Sequence, residues 1–134
     1  MMKPRLTVLT ATLLALAGTP LTAIAGDSRT DAALKHLDPE TRLTEACNLA
    51  AMDRLDRDPN QFHPDRVAVD QFSSPERNGD TLQGSGGVFR SGGAWYHLNF
   101  KCAASHDHMK ILSFSYTVGK KVPKADWDTL HLYP

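Results

Sequence analysis

Cys102, His106, Asp107 and His108 fall in one short stretch, "KCAASHDHMK" (Lys101–Lys110). On a strand, residues two apart point to the same side, so His106 and His108 are candidates to hold one zinc or copper ion. Asp107 would then turn away or act as an outer partner through a bend. A closed site needs three or four protein ligands, and the others would have to come from His63, His97 or His131. The plainer account is a solvated turn between two strands. Ser105 or Ser113 with Asp107 and either histidine supplies the parts of a hydrolytic triad. However, no Gly-x-Ser-x-Gly elbow precedes a helix. "GSGGVF" (Gly84–Phe89) lacks the following Lys-Ser/Thr of a phosphate loop and precedes no helix. It is expected to be a bulged or edge strand, or a place where backbone approaches closely. Asp53/Asp56 and Asp126/Asp128 are carboxylate pairs in polar surroundings, where solvation accounts for them. Arg90, Trp95 and Tyr96 flank a glycine hairpin. Arg90 and Trp95 are expected on the solvent side of paired strands as a stacked pair, the leading candidate for an interaction patch.

The elements that must carry these residues begin with a segment to be set aside. "MMKPRLTVLTATLLALAGTPLTAIAG" has Lys3 and Arg5, an apolar run from Leu6 to about Ala17, Pro20, and small residues at Ala23 and Ala25. It reads as a secretory signal peptide over residues 1–25, cleaved after Ala25. The apolar run is shorter than the roughly 20 residues that span a bilayer. No cysteine follows it, so lipid modification is not expected. Losing Lys3 and Arg5 from 15 bases against 15 acids leaves a net charge of −2. Such a balance gives no footprint for nucleic acid and no polybasic membrane signal. Stable membrane insertion after cleavage is not expected.

Cys47 and Cys102 are the chain's two cysteines. In an exported chain a lone pair is expected to form one disulfide, which removes Cys102 as a ligand or nucleophile. A thiol nucleophile or thiolate ligand is the alternative, and an oxidising compartment disfavours it.

Residues 26–37 read as a mobile segment with a short helical turn around Ala32–His36. Residues 38–134 read as one domain. Asp38 is a good N-cap, Pro39 suits the first helical position, and Glu40 places an anion at the positive end. The helix is expected to run to about Arg57, with Leu43, Cys47, Ala51 and Leu55 as its buried stripe, widened by Ala50 and Met52. Asp38–Arg42 and Asp53–Arg57 are spaced as i,i+4 ion pairs. Four strands follow: Arg66–Phe72, Thr81–Arg90, Ala94–Cys102 and Lys110–Gly119, with an Asn78-Gly79 turn before the second. In the third, Tyr96, Leu98, Phe100 and Cys102 share one face, opposite Trp95, His97, Asn99 and Lys101. In the fourth, Leu112, Phe114, Tyr116 and Val118 share a face. Pro123 could open a turn that seats Trp127. The expectation is an α+β domain, one main helix packed on a four-stranded antiparallel sheet and stapled by Cys47–Cys102.

At "LDPETRLTEACNLAAMDRL", "FRSGGAWYHLNFKC" and "FSYTVGKKVPKADW" the chain resembles exported alphaproteobacterial proteins catalogued as domain of unknown function 930. The resemblance covers roughly Leu37 to Leu130. It implies an envelope protein with a helix-plus-sheet fold, and carries over no activity and no catalytic residue. The sequence thus points to a periplasmic or secreted non-catalytic module that binds an envelope protein or component. Cofactors are not expected, apart from the metal alternative at His106 and His108; a small envelope hydrolase ranks third.

Overall fold

The computed structural model describes residues 25–134, with side chains from Ser28 onward. The expected signal peptide therefore lies outside the described residues, apart from Ala25. Among the described residues the elements are α1 (Ala25–Lys35), α2 (Pro39–Arg57), β1 (Pro64–Ala68), β2 (Glu76–Asn78), β3 (Thr81–Ser91), β4 (Ala94–Ala104) and β5 (Ile111–Lys121). A single 3-10 turn, Lys124–Asp126, follows. No described helix is long and apolar enough to cross a membrane.

The α+β expectation holds, with two elements more than foreseen. The stretch before Asp38 is an 11-residue helix rather than a turn at Ala32–His36. "ERN" is a short strand, β2, whose Asn78 pairs with Thr81 across the Gly79-Asp80 turn. Gly79 has φ 58°, which glycine adopts without a Cβ penalty. The sheet is antiparallel, in the order β1-β3-β4-β5, and β2 shares the β1 edge of β3.

Helix α2 forms as its sequence dictates. The Asp38 carboxylate accepts from the Glu40 and Thr41 amides at 3.1 Å, and Pro39 fills the first turn. Leu43, Cys47, Ala51 and Leu55 are buried against the sheet, and Ala46 is buried beside them. Both edge strands, β1 and β5, contact α2, so the sheet curls around the helix. Small side chains at Ala46, Cys47 and Ala51 permit that close approach. The disulfide joins Cys47 to Cys102, with Cα atoms 6.0 Å apart. It ties the middle of α2 to the end of β4. Beneath α2, Leu82, Phe89, Leu98, Phe100 and Phe114 complete the main core.

A second core sits on the opposite face of the sheet. Val88 and Trp95 are covered there by Val122, Trp127 and Leu132 of the C-terminal segment. Trp127 is seated after Pro123 as expected. The glycines of "GSGG" mark close backbone approach. A Cβ on Gly86 would meet the Ser73 backbone nitrogen at 2.6 Å, and one on Gly87 would meet the Leu98 carbonyl oxygen at 2.9 Å. The register of β3 shifts there, between Gly84 and Gly87. The chain after Ala68 lies over these glycines, and the Phe72 amide bonds the Gly86 carbonyl at 2.9 Å. The expected strand Arg66–Phe72 therefore ends at Ala68. Val69 instead enters the core and gives its amide to Asn48 Oδ1 at 2.9 Å.

Candidate functional site

His106 and His108 lie in the β4–β5 loop, not on a strand, and the structure places them in opposite environments. His106 is fully solvated, whereas His108 is only 7 % exposed. His108 Nδ1 lies 2.7 Å from the Pro39 carbonyl oxygen, and Nε2 lies 2.8 Å from Asp80 Oδ1. His106 Nδ1 reaches the other oxygen of Asp80 at 3.2 Å. Hydrogen bonds from His108, then His106, hold the Asp80 carboxyl below the usual carboxylate range.

The expected metal pair is corrected by this arrangement: both nitrogens of His108 are already engaged. The supposed further ligands are elsewhere. His63 pairs with Asp56, His97 packs on Phe72, and His131 lies in the C-terminal turn. Among the described residues no group of three or more His, Cys, Asp or Glu side chains is arranged to hold a metal ion. Asp107 is a loop brace. Its carboxylate accepts from Ser105 Oγ at 2.6 Å and from the Met109 amide at 3.1 Å, and these bonds, Ser105 first, lower its pKa. Ser105 is thereby committed to the loop rather than to a histidine.

Arg42, which the sequence pairs with Asp38, does something else. Its guanidinium donates to the carbonyl oxygens of Leu34, Lys35 and Leu37 at the end of α1, and to that of Asp107. One fork thus caps α1 and holds the β4–β5 loop. Arg77 adds a bond to the Glu40 carbonyl. The i,i+4 pair Asp53–Arg57 is present at 2.7 Å.

The Arg90–Trp95 patch is also corrected. The guanidinium does sit over the indole, 5.6 Å from its centroid. Yet Trp95 is only 3 % exposed, because the C-terminal segment covers that face. Its Nε1 donates to the Tyr133 carbonyl at 2.8 Å, and Arg90 adds a second bond to the same oxygen. Arg90 also binds Asp65 through both carboxylate oxygens at 2.9 Å, which keeps Asp65 ionised to lower pH. Tyr96 is on the other face, packed with Phe62 and Phe89.

What the surface offers instead is a groove of about 420 Å³ between α1, α2 and the free edge of β5. Leu34, Ala46, Leu49, Ala50, Ile111, Leu112 and Phe114 make its apolar lining, and Asp31, Asp53, Arg54 and Arg57 stand around it. Leu112 is 71 % exposed and Leu49 42 %, two of the three large apolar side chains exposed among the described residues. Leu112 was expected in the core. The β4–β5 register slips between Ala103 and Ala104, so Ile111 packs on the core and Leu112 turns out. Arg54 closes part of the strand edge by donating to the Phe114 carbonyl at 3.0 Å. Farther along β5, outside the groove, Tyr116 donates to Asp58 at 2.8 Å. Burial, then that carboxylate, raises the phenol's pKa.

A family model described as Domain of Unknown Function (DUF930) matches residues 34–132. No curated protein and no solved structure matches the chain.

Proposed function

The chain belongs to the DUF930 family, and we propose that it is an exported, non-catalytic binding module of the cell envelope. The carrying observation is the apolar groove flanked by Leu49 and Leu112 beside the free edge of β5. An exposed apolar strip with a charged rim is the form that interaction sites take. Most of the polar groups that the sequence singles out near these sites are engaged in holding the fold. His108, Asp107, Arg42, Arg90 and Trp95 each satisfy backbone or carboxylate partners. Export is supported by the expected signal peptide and by the Cys47–Cys102 disulfide, which persists in oxidising compartments.

The test is site-specific crosslinking in envelope extracts. A photoreactive residue at Leu112 should give a discrete adduct, and one at Lys101, on the opposite face of the sheet, should not. Adduct formation should fall at least tenfold in Leu49→Asp. No adduct at Leu112, or equal labelling from Lys101, defeats the reading. N-terminal sequencing of exported protein should begin at Gly26.

A further inference from the structure

Both ring nitrogens of His108 face oxygen acceptors, the Pro39 carbonyl at 2.7 Å and the Asp80 carboxylate at 2.8 Å. A neutral imidazole has one N–H and one lone pair, so it can serve only one of these acceptors. The imidazolium has two N–H groups and serves both. The residue holding this position has φ 58°, a left-handed conformation uncommon outside glycine. We propose that His108 is a proton-controlled clasp. As imidazolium it ties the β4–β5 loop both to the start of α2 and to the β2–β3 turn, and loss of one ring proton releases one of those ties.

The charged groups around the ring are consistent with such a device. Asp80 faces it from the β2–β3 turn and shares its second oxygen with His106. From α2, Arg42 holds the Asp107 carbonyl of the same loop, and Asp38 caps the helix one residue before Pro39. Arg77 of β2 binds the Glu40 carbonyl. Asp107 and Lys110 belong to the loop itself, where the Lys110 amide bonds Ser105 Oγ at 3.0 Å. The loop is thus braced internally, and apart from the solvated His106–Asp80 contact at 3.2 Å its hydrogen-bonded attachment to the rest of the molecule passes through His108 and Arg42. Met109, Ile111 and Leu112 follow directly and line the groove. Release of the clasp would therefore move one wall of the groove. That consequence rests on the binding reading above, whereas the clasp does not.

The experiment is a pH titration of the full exported chain by NMR in chelator-containing buffer, with no ligand present. It follows the ring nitrogens of His108 and the amides of Ser105–Lys110. Both ring nitrogens should show imidazolium shifts in the clasped form, and the loop amides should move with the same midpoint as the ring. In Asp80→Asn the side-chain amide can donate to a neutral Nε2, so the loop transition should vanish. In His106→Ala it should persist, because that ring is solvated. Loop amides that stay still while His108 titrates would overturn the proposal, as would a loop transition that survives unchanged in Asp80→Asn. Failure of the groove to bind anything would leave these signals unaffected, so the two readings fail separately.

Discussion

Replacing both Cys47 and Cys102 by alanine should cost about 4 kcal/mol of folding stability. The bridge spans a sequence separation of 55 residues. Closing a loop of that length in the unfolded chain costs roughly 14 cal/mol/K in the chain-entropy model, or about 4 kcal/mol at 25 °C. Both side chains are fully buried within the main core, so loss of sulfur packing adds to the entropic effect. Domains of this size have about 5–15 kcal/mol in total, so the variant should fold but only marginally. Urea titration by tryptophan fluorescence measures it, since Trp95 and Trp127 both sit in the second core. The midpoint should fall, and m should rise, because an uncrosslinked unfolded chain exposes more surface. A loss below about 1 kcal/mol at unchanged m would refute the chain-entropy reasoning. It would mean that the unfolded ensemble keeps α2 near β4 without the bond.

Further expected outcomes follow from single contacts. Leu98→Ala should destabilise by about 2–5 kcal/mol, because Leu98 is fully buried, while Leu112→Ala should stay within about 0.5 kcal/mol; equal effects would contradict the register slip at Ile111. Arg42→Lys should loosen α1, since an ammonium cannot serve the carbonyls of Leu34, Lys35 and Leu37 together; hydrogen exchange should speed up over residues 28–37 with the β strands unchanged. Acid should destabilise the fold through Asp38, Asp58, Asp65, Asp80 and Asp107, whose folded pKa values all lie below the ordinary 3.8. Their contribution is present above pH 3.8 and fades as pH falls through the lower folded values, so the urea midpoint should drop below about pH 4. A midpoint flat down to pH 2 would exclude that linkage.

Helix α2 was legible because cap, first-turn proline and buried stripe agree at Asp38, Pro39 and Leu43–Leu55. The staple was legible from the expected export and the cysteine count. The facing of Leu98, Phe100 and Cys102 followed from alternation, since β4 keeps a regular register there. Failures came where non-local contact overrides local pattern. Leu112 alternates correctly with Phe114 in the sequence, but the slip beside Ala104 is set by pairing with β4. Trp95 was assigned the correct face, but nothing local says that residues 122–132 fold back over it. Arg42 stands four residues from Asp38, yet eight residues back it finds a helix end with unpaired carbonyls, which use its planar fork more fully. His106 and His108 lie in the turn that the plainer reading expects, but nothing local says that His108, with its left-handed backbone, is buried there while His106 stays in solvent.

These errors share a physical direction. Several polar residues that looked free to do chemistry are used where two elements meet and backbone groups would otherwise go unpaired. Arg42 joins α1 to the β4–β5 loop, His108 joins that loop to α2 and β2–β3, and Arg90 with Trp95 binds the chain's last residues to the sheet. A small domain with a sheet curled round one helix has many such junctions and limited apolar area to close them. Charged donors are therefore drawn inward, and the register slip adds Leu112 to the apolar surface that remains. A one-residue slip at Ala104 brings Ile111 in and turns Leu112 out, next to Leu49 and the free edge of β5. A regular pairing would have buried Leu112 and turned Ile111 outward in its place. The irregularity that defeats the alternation pattern is thus the same feature that sets Leu112 beside Leu49 in the groove.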